Sequence, residues 1–211
     1  MSIIVERFNK IKSNINNKAN IIAVSKTFSF QHIEPLVKAG HIHFGENKVQ
    51  EATQKWIEPK KIYPNIKLHM IGKLQSNKAK EAVNLFDYIH SVDNPKLASL
   101  LAKHQNNINK NLNYFIQVNI GNESQKSGIN IKSLDEFFYY CTKDLKLNII
   151  GLMAIPPNNG KENFYFKNLM ELNKLLGLKE LSMGMSADFQ IALKYEATFL
   201  RIGSSIFGNR S

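Results

Sequence analysis

Eight runs rich in Ile, Val, Phe and Leu recur along the chain with helix-like stretches between them, and this alternation limits the fold more than any other feature. The runs fall at 21–25 (IIAVS), 41–45 (HIHFG), 66–71 (IKLHMI), 88–92 (YIHSV), 113–119 (NYFIQVN), 148–154 (NIIGLMA), 180–183 (ELSM) and 198–202 (TFLRI). Strands that alternate with helices pair in parallel, because each helix carries the chain back to the same end of the sheet. Eight such units, with one further helix in front, predict a single (β/α)8 barrel spanning 1–211. An open doubly wound sheet repeats the same units and is the alternative; no GxGxxG follows the first run, so its dinucleotide-binding version loses support.

The intervening stretches carry helix signals. Ile4, Phe8, Ile11 and Ile15 share one face of a helix over 2–16. Ser29 caps a helix ending at Gly40, with Pro35 inside it, and further helices are expected over 47–56 and 76–86. Asn94-Pro95 reads as a cap and first helical position for 95–105. Ser133 opens 134–141, the run 162–176 ends before Gly177, and Asp188 starts 188–195. The segments 58–65 (EPKKIYPN) and 156–161 (PPNNGK) read as surface connections, and no domain boundary is visible.

Composition narrows the partners. The 211 residues, 43% hydrophobic, suffice for one core. No apolar run approaches the roughly 18 residues of a membrane helix, and the first residues, MSIIVERFNK, lack the pattern of a secretion signal, so a cytoplasmic protein without membrane partners is expected. The lone Cys141 has no disulfide or CxxC partner and reads as a small core residue. A net charge of +11 raises nucleic acid as a partner. The lysines are dispersed, however, and only Arg7, Arg201 and Arg210 of the 28 basic residues are arginines, the better readers of phosphates and bases. Nucleic acid is therefore not expected as the main partner.

In a barrel of this kind the chemistry sits at the carboxyl ends of the strands. Collected there are Ser25-Lys26-Thr27, Gly45-Glu46-Asn47, His69 to Gly72, Gly184-Met185-Ser186, and Arg201 followed by Gly203-Ser204-Ser205. Loops after the seventh and eighth strands are the recurrent phosphate-binding place of the fold, and Gly with Ser in both suits an anion, although Ser as an ordinary cap explains either alone. Lys26 either snorkels at the rim or presents a partly desolvated amine able to condense with an aldehyde. Pyridoxal phosphate is an aldehyde that carries a phosphate and would suit both features. His41 and His43 alternate on one strand face without an evident third metal ligand, no GxSxG or HExxH occurs, and Met153, Met183 and Met185 read as packing.

The segments AVSKT, HFGENKVQE, LHMIGKLQSNK, SVDN, VNIGNESQKSG, GLMAIPP, LSMGMSAD and LRIGSSIFGNR resemble, in order and spacing, the signatures of the YggS/PROSC family of pyridoxal phosphate homeostasis proteins. The resemblance covers essentially the whole chain and implies a fold similar to the barrel domain of bacterial alanine racemase. It implies that Lys26 forms a Schiff base with the cofactor, that Arg201 faces the pyridine nitrogen, and that Ser186, Gly203 and Ser204 contact the phosphate. Asn47 and His69 fall in cofactor-facing segments, with a satisfied structural histidine as the other reading of His69. Three departures stand out: Lys48 where the family has tyrosine, Ser204-Ser205 for Thr-Ala, and Asn209 for alanine.

The implied function is to hold, buffer and deliver pyridoxal 5′-phosphate, with apo forms of enzymes that use it as recipients and no catalysis of its own. A weak amino-acid racemase is the alternative, and a basic binding module on a barrel scaffold a third. A racemase takes its second acid/base group from another domain and a partner subunit, and this chain ends at Ser211, nine residues after the last strand; the carrier, as a monomer, is expected. The polar loop Glu123 to Gly128 is a candidate gate.

Overall fold

The computed structural model describes residues 2–16, 18–123 and 125–208. Its parallel strands close into a barrel in sequence order: β1 (Asn20–Val24), β2 (His43–Glu46), β3 (Lys67–Met70), β4 (Tyr88–Val92), β5 (Asn113–Gln117), β6 (Ile149–Met153), β7 (Glu180–Met185) and β8 (Phe199–Ile202). β8 pairs with β1, Ile22 opposite Arg201, so the sheet has no free edge and the open alternative is excluded. The (β/α)8 expectation is borne out. Departures within the sheet are local: register shifts interrupt the β4–β5, β5–β6 and β7–β8 pairings.

Helices α1 (Ile3–Ile15), α2 (Phe30–Lys38), α3 (Val49–Ile62), α4 (Ala79–Leu85), α5 (Pro95–Asn107), α6 (Leu134–Tyr139), α7 (Glu162–Leu175), α8 (Phe189–Lys194) and α9 (Ser204–Phe207) follow the chain. A 3₁₀ turn, Ser76–Lys78, leads into α4, and a π turn, Tyr140–Asp144, ends α6. None of the described helices is long and apolar enough to cross a membrane. α1 buries the expected stripe of Ile4, Phe8, Ile11 and Ile15, capped by Ser2. It packs against α2 and α9.

Side chains alternate across the barrel wall. Ile21, Ala23, Leu68, Met70, Tyr114, Ile116, Leu200 and Ile202 belong to the apolar layer that the helices cover. Ile22, Phe115, Met153 and Phe199 form a second, smaller cluster inside the barrel. Gly45 is what that interior requires on β2, since a Cβ there would lie 2.8 Å from Ile22 Cγ2.

Among the boundaries that differ from expectation, three stand out. α3 runs to Ile62 and takes 58–62 out of the expected connection, because Val49, Ala52, Trp56 and Pro59 continue one buried stripe; Pro59 forfeits only one intrahelical donor. β2 begins at His43, so His41 is not a strand residue, and its Nε2 bonds to His43 O at 2.8 Å. β5 ends at Gln117, beyond which Val118 makes an isolated bridge to Ile129. Asn209, one of the departures from the family pattern, and Ser124 of the proposed gate lie outside the described residues.

Asn94 accepts a hydrogen bond from Leu97 N at 2.9 Å and Pro95 opens α5, the arrangement the sequence indicated. Asn94→Ala is expected to lower the unfolding free energy by about 1 kcal/mol in urea titration. An unchanged midpoint would show that the cap contributes nothing here.

Candidate functional site

A cleft of about 520 Å³ opens at the carboxyl end of the barrel, lined by Lys26, Asn47, Ser186, Arg201, Gly203 and Ser204, together with Val24 and Phe28. Six of the seven residues singled out from sequence therefore meet around one space. Barrel closure accounts for this: β1, β2, β7 and β8 are neighbours only because β8 returns to β1.

Lys26 lies two residues beyond β1, in a turn held from behind. Ser25 N donates to Gly45 O at 3.0 Å, and Ser25 Oγ donates to Glu46 Oε1 at 2.7 Å. Thr27 takes a left-handed backbone (φ 71°), and its amide donates to Glu51 Oε1. Lys55 Nζ joins these groups, reaching Ser25 O at 2.8 Å, Glu46 Oε1 at 2.9 Å and Glu51 Oε1 at 3.1 Å. Trp56 Nε1 adds a bond to Glu46 Oε1 at 2.9 Å. Burial pushes the Glu46 carboxyl up, opposed by Lys55 and by the bonds from Trp56 and Ser25. Both neighbours of Lys26 are thus fixed by a paired set of charges, of which Glu46 and Lys55 are buried and Glu51 is partly exposed. Glu51 and Lys55 were not singled out from sequence, and Glu46 only as part of the strand-end segment Gly45-Glu46-Asn47. Only the Glu51/Lys55 spacing of four hinted at a pair.

Arg201 points inward from β8 and is 4% exposed. Its Nη1 donates to Ser182 O at 2.6 Å and to Ser182 Oγ at 2.8 Å, while Nη2 donates to Ala154 O at 2.9 Å. Burial lowers its pKa to about 10, with Asp188 opposing, so the guanidinium keeps its charge at neutral pH. These acceptors offset the cost of desolvating the cation and fix its plane.

Ser186 follows β7, and Gly203-Ser204 follow β8 at the start of α9. A Cβ on Gly203 would lie 3.3 Å from both Cβ and O of Val24, a tight contact that shows how closely the loop after β8 passes the end of β1. Gly184 adopts φ +90° within the register shift between Ser182 and Met185, just before the cleft-lining Met185 and Ser186. Asp188 Oδ1 accepts from Met185 N at 2.6 Å and fixes the start of the next loop.

His69 is the exception. It does not line the cleft but lies fully buried inside the barrel, stacked on Tyr88 with ring centroids 4.2 Å apart. Both ring nitrogens are engaged: Nε2 with His43 Nδ1 at 2.9 Å and Nδ1 with His90 Nε2 at 2.9 Å. The satisfied structural histidine is the reading that fits. His90, itself stacked on Phe115, continues to Ser182 Oγ at 2.8 Å. Neither His90 nor Ser182 was singled out from sequence, since a strand residue's inward depth depends on register. Among the described residues no group of three His, Cys, Asp or Glu could hold a metal.

Burial holds His69 and His90 well below the usual histidine value of 6.5, helped by neighbouring imidazoles for His69 and by Arg201 for His90. Both are neutral when folded and protonate near 6.5 when unfolded, so the unfolded chain binds more protons as pH falls through that value. Stability is therefore full above about pH 7 and declines below it, by about 1.4 kcal/mol per pH unit per histidine, with the raised Glu46 carboxyl opposing. Urea titration at about pH 7.5 and 5.5 checks this. A stability equal or higher at the lower pH would contradict it.

The alanine racemase N-terminal domain family model matches residues 2–211. The pyridoxal phosphate homeostasis protein of Aquifex aeolicus is 37% identical over 205 residues, covering 92% of this chain and 88% of that one. The structure of PipY from Synechococcus elongatus with PLP bound superposes with a TM-score of 0.90 at 34% identity, covering 97% of this chain and 100% of the other. Alanine racemase of Corynebacterium glutamicum shares the fold at 15% identity and a TM-score of 0.72, over 97% of this chain and 60% of its own. With that family model matching residues 2–211 and a homeostasis protein 37% identical over most of both chains, the chain belongs to the alanine racemase N-terminal domain family and, within it, to the pyridoxal phosphate homeostasis proteins.

Proposed function

We propose that this chain binds pyridoxal 5′-phosphate at the mouth of its barrel and serves to store and hand on the cofactor, without a catalytic cycle of its own. The observation that carries the proposal is the convergence of one lysine, one buried guanidinium and two serine-bearing turns on a single cleft. The residues fit the group: an amine for the aldehyde, a fixed cation for the ring nitrogen, and hydroxyls with a glycine-lined approach for the phosphate. When bound, pyridoxal phosphate supplies an aldehyde that condenses with an amine and a ring that withdraws electrons in proportion to protonation of its nitrogen.

Each side chain then has a task. Lys26 holds the cofactor covalently, its turn kept in place by Ser25, Glu51 and Lys55. Arg201 presents a permanent cation, which discourages protonation of a facing ring nitrogen and leaves the ring a weak electron sink. Ser186, Gly203 and Ser204 receive the phosphate, and Asn47 lines the same cleft. A tuned-down ring suits a protein that carries the cofactor more than one that uses it. The relatives' names support this reading, and apo forms of cofactor-dependent enzymes are the natural recipients.

Purified protein mixed with pyridoxal phosphate should develop a visible absorbance that is absent in Lys26→Ala, with borohydride reduction fixing the cofactor's mass on residue 26. Retention of that band by the variant would remove Lys26 from its role. Loaded protein should also reactivate an apo-enzyme that uses the cofactor. Efficient racemisation of a free amino acid by the loaded protein, without such transfer, would replace the carrier with an enzyme.

A further inference from the structure

The barrel interior holds more polar structure than the cleft needs. Downward from Arg201 run Ser182, His90, His69 and His43, joined end to end at 2.8, 2.8, 2.9 and 2.9 Å. The last imidazole, only partly buried, lines a second cleft of about 340 Å³ at the amino end of the strands, beside His41 and Lys12 of α1. One line of hydrogen bonds therefore links the two ends of the barrel.

Its direction follows from counting protons. A guanidinium can only donate, so Arg201 Nη1 gives its proton to Ser182 Oγ. The serine hydroxyl then directs its own proton to His90 Nδ1, which must be bare. The His90 proton is on Nε2 and goes to His69 Nδ1; the His69 proton is on Nε2 and goes to His43 Nδ1. Reversing the line would leave the Ser182 proton buried, with none of the bonds in this line to accept it.

We propose that Ser182 and His90 are positioning residues for Arg201, tied to it in a line of hydrogen bonds whose single direction the guanidinium imposes on the imidazoles beneath. The inference rests on the reading that Arg201 faces the cofactor ring. Because the line ends in a cation that cannot accept, a proton arriving at His43 has nowhere to pass, and the interior holds one charge, on Arg201. The surrounding groups act the same way. His69 faces His43, His90, His41 and Lys60; His90 faces Arg201 and His43; each of these opposes a further positive charge. At the outer end His43 faces Lys67, which opposes protonation, and Asp87, which favours it.

Nitrogen-15 NMR of histidine-labelled, cofactor-free protein tests the line directly. His69 and His90 should both be neutral with the proton on Nε2 between about pH 6 and 8. In Ser182→Ala, His90 should lose its single tautomer, the absorbance maximum of added pyridoxal phosphate should shift, and its affinity should fall about tenfold; Ser182→Thr should restore all three. His43→Asn keeps an acceptor for His69 and should preserve its tautomer, whereas His43→Leu should mix it; this partly exposed position guards against a variant that merely fails to fold. A proton on Nδ1 of His69 or His90, or a Ser182→Ala protein with unaltered His90 signals and cofactor spectrum, would overturn the proposal. If pyridoxal phosphate fails to bind the unaltered protein, the cofactor reading falls while the NMR result still decides the direction of the line.

Discussion

The pairing of β8 with β1 is the contact on which the remainder of the molecule rests. It sets Ile22 against Arg201, far apart in sequence, and removes the last open edge of the sheet. Everything at the mouth inherits its position from that seam. The turn bearing Lys26 leaves one side of it and the Gly203 loop leaves the other, close enough that a Cβ at residue 203 would press on Val24. Phe28 beyond the first turn and Phe207 beyond the second pack with ring centroids 5.4 Å apart, closing the same seam from above.

Two buried charged groups flank the seam, and they are compensated differently. Arg201, inside the barrel, is held by carbonyls and a hydroxyl and, among the described residues, has no carboxylate in direct contact. Glu46, on the helix side of β2, is matched by Lys55 at 2.9 Å and by two neutral donors. Removing one member of such a set costs more than the set contributes, because the survivor is left desolvated and unpaired. The barrel thereby carries a fixed cation toward the cleft and a rigid support behind Lys26, as the proposed hold on an aldehyde and a ring would require.

Much of this was legible in the residues. Strand positions came from short apolar runs, and each lies within a few residues of its observed place, because a strand buried on both faces leaves a continuous apolar signature. The Asn94-Pro95 cap and the α1 stripe were equally direct, being local. Where reading by punctuation failed, burial overrode it: Pro59 suggested a loop, yet it continues the stripe of Trp56 and lies inside α3. His41 looked like a strand residue by alternation with His43, but β2 starts two residues later, and its ring packs 4.5 Å from that of Phe8.

The order of the elements, the residues at the strand ends and the kinds of chemistry they permit were set by the sequence itself, because periodicity, capping and side-chain chemistry act over a few neighbouring residues. Depth was decided only in three dimensions. Whether an inward residue such as His69 reaches the cleft or stays in the barrel depends on strand register and stagger, which arise from pairing between distant segments. The same register aligns His43, His69, His90 and Ser182 beneath Arg201, and it brings Lys55 under the turn of Lys26; no spacing along the chain encodes either arrangement.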